Sequence, residues 1–297
     1  MSKDTGSRVF PSANEDAKKA DTVKNTAQTR SASYRLAYAD EDFLLRDELR
    51  PVRLQLELYK PELILKEKGI DSTIVVFGSS RILDPKKARS NYNKAKSKAL
   101  EAPSDPELAR QVEISWRRLE KSRYYEAARE FAHLISSSCQ NQKDYNYVII
   151  TGGGQGIMGA ANRGAHDAGK MSIGLNIVLP TEQAPNQYIT PELCFQFHYF
   201  AIRKMHFLMR AKALVIFPGG FGTLDELFDA LTLIQTKKIK PIPVLLFGKE
   251  YWKRVLDFDV MLEEGMIDPE DLKIFKYVET AQEAFDIIND FYGNSRA

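Results

Sequence analysis

The chain of 297 residues is 43% hydrophobic, and its 42 lysines and arginines stand against 40 aspartates and glutamates for a formal net charge of +2. That length suits one large α/β domain with extensions, and the near balance of charge excludes an overall excess that would draw the whole surface to nucleic acid or membrane. Its two cysteines, Cys139 and Cys194, lack CxxC or metal-type spacing, which argues against a disulfide framework or structural zinc site and for a reducing compartment.

Residues 1–33 are rich in Ser, Thr, Asn, Lys and Ala with few large apolar groups, so they bury too little surface to offset the entropy of ordering. A disordered tail is expected there. The same stretch has no apolar core for a signal peptide, and its acids argue against a transit peptide. No later run is long and apolar enough to span a bilayer, so a soluble, cytoplasmic protein is expected. From Asp40 the text DEDFLLRDELRPVRLQLELYKPELILKEKGI spaces apolar residues as helices do, with Pro51 and Pro61 as interruptions. It predicts short helices over residues 40–68, a lead-in to a single domain covering 34–297.

Short apolar runs that end in glycine follow: TIVVFGSS at 73–80, YVIITGGGQG at 147–156 and ALVIFPGGFG at 213–222. SIGLNIVLP at 172–180 and PIPVLLFG at 241–248 read as strands too, and helical patterns fill 107–137, 157–169, 198–211, 224–236, 249–264 and 280–291. Near-continuous apolar strands alternating with helices predict a doubly wound, Rossmann-like α/β fold: a mostly parallel sheet covered by helices on both faces.

The segment from Asp84 to Arg123 interrupts this alternation. It carries Lys86, Lys87, Arg89, Lys94, Lys96, Lys98, Arg117, Arg118, Lys121 and Arg123, interleaved with Glu101, Asp105, Glu107, Glu113 and Glu120. A basic helical face can touch nucleic acid, but the interleaved acids favour a solvated helical hairpin, and the sequence assigns it no chemistry.

In an open α/β sheet ligands bind beyond the carboxyl ends of the strands, where three glycine-bearing loops fall here. The first, Gly78 to Arg81, offers hydroxyls and backbone N–H groups, and by itself reads as an ordinary turn. The second, TGGGQGIMGAANRGA from Thr151 to Ala165, runs into a helix and can cradle a phosphate on backbone amides. Gly154, Gly156 and Gly159 there also satisfy GxGxxG. That motif follows the second predicted strand, not the first, and the next strand supplies no acid until Glu182, so a mononucleotide is favoured over NAD. In the third loop, FPGGFGTLDE from Phe217 to Glu226, Thr223 and Glu226 fit a capping box, in which Glu226 would reach back to the Thr223 N–H. Three glycines ahead of a cap point to a ligand as well. Before this loop, FQFHYFAIRKMHFLMRAKA from Phe195 to Ala213 reads as a mostly apolar helix bearing Arg203, Lys204 and Arg210. His198 and His206 show no metal-site pattern.

GGGQGIMGAANRGA, FAIRK and PGGFGTLDE together resemble the LOG ("lonely guy") family, long labelled lysine decarboxylases, over about Thr73 to Trp252 apart from the basic insertion. LPTEQAPNQYI, FHYFAIRK and LRPVRLQLELYKPE look like its longer bacterial branch, though that branch often has Pro at Gln155 and Glu at Gly159. The resemblance implies a phosphoribohydrolase that cleaves the N-glycosidic bond of a nucleoside 5′-monophosphate, AMP or a cytokinin nucleotide, to free base and ribose 5-phosphate. By motif, Arg203 and Glu226 match the catalytic pair. Gly153, Gly154, Gly219, Gly220, Gly222 and Thr223 match the phosphate loops, and Ser79, Glu182 and Lys204 join them as candidate substrate contacts. The resemblance calls for no metal or cofactor and implies a homodimer or higher homo-oligomer, with a small-molecule nucleotide as partner and neither nucleic acid nor membrane.

Such chemistry suits these residue types. Bond cleavage passes through a state positive at C1′, which a carboxylate stabilises, while a guanidinium receives the departing base. Two other readings remain: a non-catalytic nucleotide or cofactor carrier on the same fold, and the decarboxylase label, which predicts pyridoxal phosphate on a lysine but has no supporting motif.

Overall fold

Every position of the first strand, β1 (Thr73–Phe77), is buried, and alternate side chains leave it in opposite directions. Ile74 and Val76 enter one hydrophobic layer and Val75 and Phe77 the other. A strand apolar on both faces must be covered on both faces, and this one lies inside a seven-stranded parallel sheet. The computed structural model describes residues 10–140, 146–180 and 184–293.

Two compact units divide the chain, Met1–Tyr59 and Lys60–Ala297. In the first, the described part of the expected disordered tail holds a helix, α1 (Ala13–Ala20), closed by a capping box between Ser12 and Glu15. Local hydrogen bonding supplies order that hydrophobic burial does not, since no residue of α1 is buried. A single turn, α2 (Glu41–Leu44), is capped by Asp40. Then α3 (Arg50–Glu67) runs unbroken through both prolines that the sequence reading took as interruptions. Pro51 occupies the first turn, where its missing N–H costs nothing, and Pro61 is accommodated inside the helix.

In the second unit, the segment after β1 forms two helices, α4 (Pro85–Glu101) and α5 (Pro106–Lys121), each started by an aspartate cap. The helix expected over 107–137 is two: α5 stops at Ser122, whose hydroxyl donates to the Leu119 carbonyl at 2.6 Å, and α6 (Arg123–Cys139) begins anew. There follow β2 (Val148–Thr151), α7 (Ile157–Asp167), β3 (Ser172–Ile177), β4 (Cys194–Phe197), α8 (Phe200–Met209), β5 (Ala211–Ile216), α9 (Phe221–Gln235) and β6 (Val244–Phe247). The chain closes with α10 (Lys249–Val255), α11 (Phe258–Glu263), β7 (Phe275–Val278) and α12 (Ala281–Gly293).

Strand order is β4-β3-β2-β1-β5-β6-β7, so the chain winds outward from β1 in one direction and, from β5, in the other. Helices α6, α7 and α12 bury Phe131, Ala161 and Ile288 against one face, while α8, α9 and α10 bury Phe207, Leu227 and Trp252 against the other. The direction reverses between β1 and β5, whose pairing sets Phe77 beside Ile216. That is the crevice where open sheets of this kind receive ligands. Among the described residues no helix is long and apolar enough to cross a membrane.

Candidate active site

Ser79, just past β1, joins the three glycine-bearing loops. Its N–H donates to the Pro218 carbonyl at 3.0 Å, and its own carbonyl accepts from the Ile157 N–H at 3.1 Å. One neighbour has no freedom in size: a Cβ on Gly78 would lie 2.6 Å from Ile157.

The loop after β2 turns on Gly153 and Gly156, with φ of 77° and 68°, a region that side chains disfavour. Gly153 also leaves no room, since a Cβ there would meet the Asn176 side chain at 2.1 Å. A buried amide network fixes this loop. The Asn186 side chain donates within 3.0 Å of both the Gly153 and Gly154 carbonyls, and Asn162 Oδ1 accepts from Thr151 Oγ1 at 2.8 Å. Gly159 of the apparent GxGxxG lies inside α7, and the motif follows β2 rather than β1, so this loop is not placed as a dinucleotide fingerprint requires.

After β5, the capping box expected at Thr223 and Glu226 does not form. The helix begins three residues earlier than expected, at Phe221 with Gly220 as its N-cap, and the Thr223 N–H donates to the Gly220 carbonyl at 2.9 Å. Glu226 is thereby freed from capping and turns inward, only 6% exposed. Gly219 is required by close packing, because a Cβ would come within 2.1 Å of Thr223 Oγ1. Its carbonyl accepts from the Tyr251 hydroxyl at 2.5 Å. Gly220 and Gly222 differ: a Cβ on either would meet nothing within 4 Å, so open space lies at the α9 N-terminus, where unpaired N–H groups attract an anion.

The stretch read as one helix from Phe195 to Ala213 is the edge strand β4, then α8, then the start of β5. Arg203 projects from α8, and its guanidinium Nη2 sits 3.5 Å from Glu226 Oε1, with Glu226 buried and Arg203 largely so. The rings of Phe200 and Phe207 flank it at 5.1 and 5.7 Å. Arg203 Nε and Glu226 Oε1 have no hydrogen-bond partner among the described residues. Lys204 Nζ, beside Arg203, contacts Asp225 Oδ1 at 2.6 Å, a second tie between α8 and α9.

Burial raises the Glu226 carboxyl from its ordinary 4.5 to about 7, against the opposing pull of Arg203 and Lys204. Arg203 is pushed down by burial, the attraction of Glu226 offsetting only part of that, and arginine remains charged at neutral pH. The arrangement can hold a cation-stabilising carboxylate and an anion-stabilising guanidinium side by side, near an anion-receptive helix start. Among the described residues no group of His, Cys, Asp and Glu has metal-binding geometry.

The structure therefore brings Arg203, Lys204 and Glu226 together beside Gly219, Gly220, Gly222 and Thr223, and ties Ser79 to that loop. Gly153 and Gly154 belong to the neighbouring loop, and Glu182 lies outside the described residues. Sequence reasoning missed Asn162, Asn176, Asn186 and Tyr251. For the asparagines a signal existed: amides at positions where an apolar pattern expects core, as in SIGLNIV. Tyr251 gave none.

A family model described as "Possible lysine decarboxylase" matches residues 158–288. The cytokinin riboside 5′-monophosphate phosphoribohydrolase LOG3 of Arabidopsis thaliana is 31% identical over 169 residues, which cover 55% of this chain and 73% of the relative. The chain belongs to the LOG family. A probable enzyme of the same description from Oryza sativa subsp. japonica, LOGL3, is 30% identical over 156 residues, covering 48% of this chain and 68% of its own. Among solved structures, a molybdenum cofactor binding protein from Rippkaea orientalis aligns at 17% identity and a TM-score of 0.41, over 57% of this chain and 88% of that one. So distant a likeness carries no functional argument.

Proposed function

We propose that this LOG family chain hydrolyses the N-glycosidic bond of nucleoside 5′-monophosphates, releasing free adenine or a cytokinin-type base and ribose 5-phosphate. The carrying observation is the buried Arg203–Glu226 pair, each partner with an unsatisfied polar atom. Buried polar atoms without hydrogen bonds are rare in folded proteins, and here two belong to one ion pair.

The chemistry follows from the substrate's charge. Phosphate binds at the open N-terminus of α9 over Gly220 and Gly222, and that remote binding energy positions the ribose. Ionised Glu226 faces C1′ as it turns positive, and orients the water whose oxygen forms the new bond there. Electrons of the breaking bond leave with the base, which Arg203 receives by charge and hydrogen bonding, and the proton that the attacking water gives up to Glu226 ends on the freed base nitrogen. The names of the plant relatives support this substrate class.

The deciding experiment incubates the pure protein with AMP, a cytokinin nucleotide, the matching nucleosides and deoxy analogues, and measures free base by chromatography. Monophosphates should be cleaved in preference to nucleosides. Glu226→Gln and Arg203→Ala should each lose roughly 10²- to 10³-fold in turnover while remaining folded. Full turnover in Glu226→Gln would remove the mechanism, and absence of base release from every nucleotide would remove the reading.

A further inference from the structure

The hairpin of α4 and α5 carries its charge unevenly. Lys86, Lys87, Arg89, Lys94, Lys96 and Lys98 are all exposed on α4, and Glu101 at its end is the helix's one carboxylate. Among the described residues none of these cations forms an ion pair, whereas on α5 Arg110 lies 3.5 Å from Glu107 and Arg117 is bound to Glu113. The acids of this segment come after these cations in the chain, and Asp105, Glu107 and Glu113 are engaged on the other helix, the first as its cap and the others in ion pairs. What remains is an uncompensated cationic rod about 25 Å long.

A surface depression runs along it, lined by Lys86, Arg89, Asn93, Lys94 and Lys98 with Gln111 of α5, and no carboxylate borders it. Cations mixed with neutral amides and hydroxyls are the groups that contact phosphate and sugar. On the same hairpin Tyr92 packs against Trp116 with ring centroids 5.3 Å apart, and Trp116 stays 45% exposed. A cationic track accompanied by an exposed aromatic ring is how proteins hold single-stranded nucleic acid without reading its sequence. An anionic membrane would need large apolar side chains along the same helix, and α4 offers Leu100 alone, at its end. An acidic protein would leave the exposed indole without a role.

We propose that α4, together with Trp116, is a docking surface for single-stranded nucleic acid, held chiefly through its phosphates. This revises the expectation of no nucleic-acid partner, because the six cations share one helix with a single carboxylate, Glu101, at its end.

The test titrates the full chain into fluorescein-labelled oligouridylate at several salt concentrations, following anisotropy and tryptophan emission. Binding should weaken linearly in log K against log salt. The triple variant Arg89→Gln, Lys94→Gln, Lys98→Gln should lose at least about tenfold in affinity, with a salt slope flatter by roughly 2. RNA should also quench emission in the wild type and not in Trp116→Phe, since the other tryptophan, Trp252, is buried. Circular dichroism and the thermal midpoint of the triple variant should match the wild type, because the altered side chains are exposed. No binding at low salt, equal binding by the triple variant, or equal competition by polyglutamate would overturn the proposal. So would sedimentation with phosphatidylglycerol vesicles that RNA fails to displace.

Discussion

Arg203 and Glu226 face each other at 3.5 Å from two helices that leave different strands, α8 after β4 and α9 after β5. Glu226 is buried and Arg203 largely so, and at that separation the cation only partly replaces the water the carboxylate has lost. Burial wins, and the carboxyl is held at about 7. The pair is thus poised to change charge at neutral pH, which gives the proposed reaction measurable signatures.

Activity should follow the ionised form of Glu226. With the carboxyl at about 7, kcat/KM for AMP should rise with pH, reach half its limit near pH 7, and level off above it. In Glu226→Gln that inflection should vanish from the residual rate. A wild-type profile flat between pH 5 and 8 would show that Glu226 ionisation is not what the reaction uses.

The same group links stability to pH with the opposite sign. Between 4.5 and about 7 the folded chain holds a proton that the unfolded chain releases, so this contribution is fully present below 4.5 and is lost as pH rises through 7. Its scale is on the order of 3 kcal/mol for a group so well buried. Thermal midpoints at pH 5 and 8 should therefore fall further in the wild type than in Glu226→Gln. Parallel falls would contradict the buried placement of the carboxylate.

Two glycines of one loop should respond differently to alanine. In Gly219→Ala the new Cβ would collide with Thr223, and displacement of the first turn of α9 should cost about 1–3 kcal/mol of stability and raise KM. In Gly222→Ala nothing is met, so stability should hold or improve slightly while KM for monophosphates rises. A Gly222→Ala enzyme with unchanged KM would place the phosphate elsewhere.

Phe221 at the start of α9 is 92% exposed, and Phe200, Met205 and Met209 on α8 are also exposed. Large apolar groups left bare beside a site are suited to a second copy of the chain, in keeping with the homodimer proposed from the family resemblance. Light scattering should give a dimer for the wild type and a lighter species for Phe221→Asp. A wild-type monomer at micromolar concentration would dismiss the dimer.

Local sequence carried the fold wherever strands are buried on both faces. IVVF and ALVI are apolar throughout and end in glycine-bearing turns, so they are legible as central parallel strands. The edge strands β4 and β7 were not, because CFQF and FKYV are only four residues long and alternate with polar residues. In β4 the run into HYFAIRK has no glycine or proline to separate strand from helix. Motif spacing brought Arg203, Glu226 and the PGGFGT glycines to attention. Whether Glu226 caps its own helix depends on where that helix starts, and a shift of three residues decided it. The contacts of Asn176, Asn186 and Tyr251 arise between elements distant in the chain, which local patterns do not encode.

Ser79 spends both sides of its backbone inside the scaffold, its N–H on Pro218 and its carbonyl on Ile157. Neither group is left to greet a substrate, so this residue can offer a ligand only its hydroxyl. It works as a rivet: the loop carrying Glu226 and the loop leading into α7 are pinned to one short piece of chain. Neither can swing away alone without breaking a hydrogen bond at Ser79, so the two loops share one position relative to each other and any shift of one is passed to the other.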